Sequence, residues 1–334
     1  MLAPTGAAAR NIDGTTIHSG LRILINGNMS PLNGENLRNS QLHFQKIRFI
    51  IIDKYSMVGT RLLCKIHRRL CEAKANSQEP FGGLNGYLFG DIRQLPPVKD
   101  TAIYMHSNSV DSNLGSNLVS SILRVFILTE CHRQSSDQIE FREILDTIAD
   151  GTVTPSGREL LMSRRMSILL RCITEFQDAV QLFPTNLQVD DHNKNILAST
   201  WKPVALIEAW HNNATARQAD DQQAQGLHRT LYLSHDCRIM LRKNLSVERG
   251  FVNGSLGTLR KIVYRNGERP PTMPYILLVE FDNFDGPYLM DRSFPLKPCI
   301  ATWKDHGVDC ARMQFPINLA YALTIHKAQG LTLD

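Results

Sequence analysis

The feature that most restricts this fold is the run Phe49-Ile50-Ile51-Ile52, which stops on Asp53 and is followed at once by Lys54. Four large apolar residues in succession, three of them β-branched, suit a strand buried on both faces, as in parallel sheets covered by helices. Runs of the same texture recur at 86–91 (GYLFGD), 124–130 (RVFILTE) and 179–185 (AVQLFPT), and each is expected to be a strand. Helical spacing lies between them. Val58, Leu62, Leu63, Ile66 and Leu70 make one apolar face, with Arg61, Lys65, Arg68 and Arg69 mostly off it. That basic side reads as a solvated face, with nucleic-acid contact as the lesser alternative. A second helix fits 138–149, turning Ile139, Ile144, Leu145 and Ile148 inward and stopping before Gly151. Strands alternating with helices predict a doubly wound α/β sheet. The polar stretch 26–41 reads as an exposed loop. From about Leu227 the texture changes to short β-like pieces (RIMLRKN, GFVNGSLGTLRKIVY, YILLVEF), read as a small inserted β domain ahead of a final α/β segment, INLAYALTIHKAQG.

Composition excludes more than it selects. With 334 residues and 43% apolar content the chain can bury one or two globular cores, and disorder is not expected. A formal charge of +5 permits nucleic-acid contact and equally suits many metabolic enzymes. The seven cysteines form no CxxC pair and show no metal-ligand spacing, so a reducing compartment is expected. No apolar stretch approaches the ~20 residues that cross a bilayer, and MLAPTGAAAR lacks the core of a secretory signal. The expectation is a soluble intracellular protein without a membrane partner.

In open parallel sheets ligands collect beyond the carboxyl ends of the strands. Two runs end there in an acid, Asp53 and Asp91. Each carboxylate is either a Mg²⁺ ligand beside nucleotide phosphates or a cap on the following turn, and taken singly the cap is the commoner role. The text around them shifts the balance: MLAPTGAAARNIDGTTIH, IIIDKYSMVG, GYLFGDIRQLPPV, LTECHRQ and AYALTIHKAQGLTLD occur in that order. In these segments the chain resembles the Pif-type DNA helicases, superfamily-one motors related to RecD and including the helicase parts of Helitron transposons. The resemblance spans nearly the whole chain, and GDIRQLPPV is its most specific element.

The resemblance implies two RecA-like P-loop NTPase lobes, the first incomplete, with a small β-barrel inserted in the second. Its boundaries are expected at 1–130 for the first lobe, 131–225 and 313–334 for the second, and 226–312 for the insertion. It implies Mg²⁺ and ATP as cofactors, with Asp53 as metal ligand. It also implies Asp91 in the nucleotide site, Gln94 as sensor of the terminal phosphate, and Arg133 as the cation facing the transferred phosphoryl group. Pro4, Thr5, Thr15, His18, Pro96, Thr324, His326 and Lys327 are implied in contact with single-stranded DNA, Lys327 and Gln329 in nucleotide binding, and Thr324, His326, Lys327 and Gln329 in the segment that links nucleotide state to strand grip. A satisfied structural histidine is an equal reading for His18. A monomer acting in the nucleus, or alternatively in mitochondria, in repair, recombination or telomere maintenance is the corresponding expectation.

The chain departs from that pattern in three places. A phosphate loop requires GxxxxGK[ST], yet none of the 21 glycines is followed by Lys. Relatives carry Asp-Glu at the end of the first run, where the Glu orients and deprotonates the attacking water; this chain has Asp53-Lys54, and a protonated amine is not a base. Lys54 is read either as a solvent-facing side chain at an inactive site or as a substitute for part of a missing loop's charge. The chain also stops at LTLD, before the family's last arginine motif, and is read as truncated at both ends. The expected function is therefore that of a Pif-type helicase copy unable to hydrolyse ATP, or else a non-catalytic single-strand-binding module, or an inert remnant or partner scaffold.

Overall fold

The computed structural model describes residues 1–24, 29–105, 109–122, 124–130, 132, 138–165, 176, 179–246, 249–283, 292–329 and 331. The chain divides into two compact units. The first comprises Met1–Tyr55, Arg68–Gly90 and Val180–Asp334, the second Ser56–His67 and Asp91–Ala179.

The first unit opens with a parallel sheet of β1 (Leu2–Ala3), β2 (Thr15–Thr16), β3 (Phe49–Ile52) and β4 (Asn85–Leu88), in the order β2-β1-β3-β4. The expected strands at 49–52 and 86–91 are thus present, the second as residues 85–88. Because the strands are parallel, their carboxyl ends share one rim, on which Pro4, Thr5 and Asp53 lie. Short helices follow β1 (Gly6–Asn11) and β2 (Ile17–Gly20), each started by a threonine whose hydroxyl accepts a first-turn amide, Thr5 from Ala8 at 3.3 Å and Thr16 from Ser19 at 3.3 Å.

Two sequence expectations fail in this unit for identifiable reasons. Within the stretch read as a loop, Gly34–Phe44 is a helix. Its only buried residue is Phe44, so it lacks the apolar stripe that marks a packed helix. It is held instead by polar ties to the helix Thr60–Lys74: Gln41 Nε2 donates to the Glu72 carbonyl (3.3 Å), and Lys74 Nζ donates to the carbonyls of Phe44 (3.2 Å) and Ile47 (3.3 Å). The second failure is Arg69, placed on the solvated face by spacing but 3% exposed. Its guanidinium pairs with Glu72 at 2.6 Å and donates to the carbonyls of Arg22 and Ser30, so the cation is buried with its acceptors.

Beyond residue 180 the strands are β5 (Gln181–Phe183), β6 (Val204–Glu208), β7 (Trp210–His211), β8 (Thr230–Ser234), β9 (Arg238–Leu241), β10 (Leu256–Val263), β11 (Ile276–Phe281), β12 (Phe294–Leu296), β13 (Cys299–Asp305), β14 (Val308–Gln314), β15 (Ile317–Leu319) and β16 (Ala322–Thr324). Among the described residues they form an antiparallel sheet β12-β11-β10-β9-β15, a smaller sheet β13-β14-β7, the antiparallel pair β6-β8 and the parallel pair β5-β16. The predicted strand at 179–185 is β5. Leu233, Ile239, Leu241, Leu259, Leu277, Val279, Phe315 and Ile317 form the core between these layers, each at most 1% exposed. Among the described residues, Arg312 on β14 is a charge that sits fully inside, 0% exposed. It donates to Asp221 Oδ1 (3.1 Å) and to the carbonyls of Leu227 (2.9 Å), Ala216 (3.2 Å) and Ala219 (2.6 Å). Four acceptors from 216–227 thus close around one guanidinium, pinning that irregular segment to the sheet.

In the second unit the start of the helix Thr60–Lys74 is capped from a distance. Asp100 accepts from the amides of Arg61 (3.3 Å) and Leu62 (3.1 Å) and pairs with Arg61 Nε at 3.1 Å. The helix Val110–Ser120 places Gly115 where an added methyl would strike the Thr60 carbonyl, a contact only glycine permits. The helix predicted at 138–149 is present as Ile139–Ala149, with Gly151 at φ +70° after its end. Only Ile144 of its apolar face is buried, however; Ile139, Leu145 and Ile148 are exposed. The run 124–130, predicted as a strand, carries no strand or helix, and Val125, Phe126, Ile127 and Leu128 are 80–86% exposed. Its side chains suit a strand, but a strand also needs a neighbour to receive its N–H and C=O groups, and no described segment supplies one.

Candidate nucleic-acid interface

At the rim of the parallel sheet, backbone bonds determine the surroundings of Asp53. The Asp53 amide donates to the Leu2 carbonyl (2.9 Å), Phe89 to Ile52 (2.8 Å) and Tyr55 to Phe89 (2.9 Å). Lys54 is therefore the pivot of a turn held from both sides, with φ at +53°, and it is half-buried. Gly90 completes the turn: a Cβ there would lie 2.9 Å from the Tyr55 amide nitrogen.

A second cluster in the same unit joins three segments remote in sequence. The last helix, Ile325–Ala328, is capped by Thr324, whose hydroxyl accepts from the Lys327 amide at 3.3 Å. The Lys327 ammonium donates to Asn253 Oδ1 at 3.0 Å, and the Asn253 amide donates to Asn244 Oδ1 at 2.8 Å. Asn244 in turn abuts the start of the first helix, where a Cβ on Gly6 would lie 2.6 Å from its Oδ1 and 2.9 Å from Val252 Cβ. The APTG segment, residues 244 and 252–253, and the HKAQ helix thus converge. Burial lowers the Lys327 ammonium to about 8, with the nearby Arg242 charge adding to the effect. Arg242 is also lowered by burial, against the opposing pull of Asp221 and Asp190.

The remaining expected residues take the following places. Pro4 and Thr5 follow β1, Thr15 lies in β2, and His18 lies in the helix Ile17–Gly20, all half-buried. Thr324 is buried, His326 exposed and Gln329 half-buried. Asp91, Gln94 and Pro96 belong to the second unit, where Asp91 caps a turn by accepting from the Arg93 amide at 2.9 Å. Gln94 and Pro96 are exposed. Arg133 lies outside the described residues. Asn244 and Asn253 were not singled out from the sequence, although the Asn-Gly of FVNGSLGTL signals the turn that presents Asn253.

Comparison with known proteins bears on the family. Residues 1–159 match the profile of the PIF1-like helicases. The Pif1 helicase of Candida albicans superposes with a TM-score of 0.70 at 26% identity, over 100% of this chain and 76% of that one. The chain is similar to the PIF1-like helicases, in sequence profile over residues 1–159 and in fold over its whole length. Among curated relatives, ATP-dependent DNA helicase PIF1 of Xenopus laevis is 30% identical over 99% of this chain and 49% of its own length. ATP-dependent DNA helicase Pif1 of Bdellovibrio bacteriovorus is 27% identical over 100% of this chain and 70% of its own length. The chain thus spans about half of the Xenopus protein and 70% of the Bdellovibrio protein. A Bacteroides Pif1 helicase, in complex with ADP-AlF3 and single-stranded DNA, shares the fold with a TM-score of 0.69 at 24% identity. The architecture is accordingly the RecA-like α/β fold of these helicases.

For a PIF1-like helicase the rim at Asp53 is where Mg²⁺ and ATP are expected, and the residues present do not complete such a site. Mg²⁺ takes an octahedron of oxygen ligands. In a nucleotide site one or two carboxylates, waters and the phosphates supply them; here Asp53 offers one carboxylate, with an amine-bearing neighbour at Lys54 where a second acid is expected. No Gly-Lys pair is present among the 334 residues to reach a terminal phosphate. Among the described residues, no helix is long and apolar enough to cross a membrane.

Proposed function

We propose that this PIF1-like chain grips single-stranded DNA without turning over ATP on the residues it carries. The strand lies along the rim bearing Pro4, Thr5, Thr15 and His18 and across Asn253, Thr324, His326 and Lys327, all in the first unit. The observation that carries this reading is the convergence of three family segments on Asn244 and Asn253. Gly6 and Asn244 are 238 positions apart, and Asn253 and Lys327 74, so the fold brings remote motif segments onto one surface. Hydroxyls, backbone amides and a partly desolvated ammonium are the groups that hold phosphates without reading bases. The proposal extends to the inserted sheets, read as the family's small barrel lying against the strand.

Titration of the purified chain with fluorescent oligo-dT, oligo-dA and duplex tests it. The expected result is binding of single strands over duplex with little base preference, and a log K against log salt slope of about −0.7 for each phosphate neutralised. DNA-stimulated ATP turnover is expected to be absent. Turnover abolished by Asp53→Ala overturns the catalytic half of the proposal, and duplex binding equal to single-strand binding overturns the other half.

A further inference from the structure

We infer that Asn253 is a positioning residue for the strand grip: its side-chain oxygen aims the Lys327 ammonium, and Asn244 fixes Asn253 in turn. This inference rests on the proposed single-strand site and assigns within it a pair of residues that the motif segments alone do not single out.

The geometry runs in one direction. Lysine carries three donors on a flexible stem of four carbons, so an ammonium that is to meet one phosphate needs an acceptor to remove its rotational freedom. Asn253 Oδ1 supplies that acceptor at 3.0 Å and leaves two N–H donors of Lys327 for a ligand. An asparagine oxygen does this without neutralising the charge, whereas a carboxylate would compete with phosphate for the cation. Asn253 itself is exposed, and its position depends on its backbone. That backbone is held at both sides of the turn: the Asn253 amide by Asn244 Oδ1 at 2.8 Å, and the Gly254 amide by the Leu241 carbonyl at 2.8 Å. Gly254 has φ at +105°, a conformation that side chains beyond hydrogen do not readily adopt. Asn244 contacts Gly6, so the first motif segment and the last share one support. The depressed Lys327 ammonium, at about 8, agrees with an amine held in a partly dry place by a neutral acceptor.

The test compares Asn253→Ala, Asn253→Asp and Lys327→Ala by anisotropy of a fluorescein-labelled oligo-dT covering one site of about 16 nucleotides, across pH 6 to 10. Wild-type affinity is expected to fall as pH rises through about 8. Asn253→Ala is expected to weaken binding about tenfold at pH 7, since a hydrogen bond to a charged group is lost, and to move the alkaline fall to lower pH. Asn253→Asp is expected to move that fall to higher pH, because a carboxylate favours the protonated amine. A structural role alone changes affinity without moving the pH limb. If Lys327→Ala loses binding while both Asn253 variants keep the wild-type affinity and limb, the positioning role is overturned and the site stands. If Lys327→Ala binds as wild type, the site reading itself fails. Circular dichroism of each variant separates these outcomes from misfolding; should Asn253→Ala not fold, the limb of Asn253→Asp decides.

Discussion

Replacing Arg312 with methionine removes a fully buried cation of the first unit while keeping a long unbranched side chain in its place. Four acceptors lose their donor: Asp221 Oδ1 and the carbonyls of Ala216, Ala219 and Leu227. Breaking a buried charged group from its partners costs about 3–5 kcal/mol when the remaining group is shut away from water. The Asp221 side chain is 41% exposed and regains water, so the expected cost is about 3 kcal/mol, the lower end of that range. With a urea dependence of about 2 kcal/mol per molar for a unit of this kind, the midpoint falls by about 1.5 M. All three tryptophans, Trp201, Trp210 and Trp303, lie in the first unit, so their fluorescence reports its unfolding directly. Arg312→Lys restores the charge without the planar fork that reaches acceptors on both sides, and is expected to recover less than half of the loss.

Acid supplies an independent check on the same residue. Burial alone would raise the Asp221 carboxyl, but the His228 hydrogen bond and charge together with Arg312 hold it below the ordinary carboxylate value. A carboxyl depressed in the folded state adds stability above its unfolded value and loses it as pH falls through the folded value. The gap between wild type and Arg312→Met is therefore expected to be widest near neutrality and to narrow below about pH 4. A midpoint shift under about 0.5 M, or a gap independent of pH, refutes the reasoning, because it means the guanidinium supports neither the carbonyls nor the carboxylate.

Two further expectations concern single positions. Asp100→Ala removes the distant cap of the helix Thr60–Lys74 and is expected to cost about 1–2 kcal/mol, read as faster amide exchange at Arg61 and Leu62, whereas Asp100→Asn keeps the cap and costs less. Gly6→Ala drives a methyl against Asn244 and Val252 and is expected to cost about 1–3 kcal/mol in urea unfolding and to weaken oligo-dT binding, while Gly34→Ala, with open space around it, leaves binding unchanged.

What the chain disclosed before folding was what repeats locally. The strands at 49–52, 85–88 and 181–183 and the helix at 139–149 are written in consecutive or helically spaced apolar residues, and the ordered motif segments pointed to the family. What stayed hidden depends on partners far along the chain. Arg69 counted as a surface cation because its acceptors, the carbonyls of Arg22 and Ser30, lie 47 and 39 residues away. Asp100 caps a helix that begins 40 residues earlier. Asn244 and Asn253 are ordinary turn residues until the chain brings Gly6 and Lys327 to them. The run 124–130 was misread in the opposite sense: its composition announced a strand, but pairing is decided by a neighbour and not by composition.

That run also bears on how the protein is handled. Val-Phe-Ile-Leu, solvated and without charge, is the kind of segment that stacks with copies of itself into cross-β assemblies. Loss of soluble protein from a concentrated sample is therefore expected to run through these four side chains without prior unfolding. A single charged gatekeeper, Ile127→Lys, is expected to keep the chain dispersed in light scattering while its affinity for oligo-dT stays as it was.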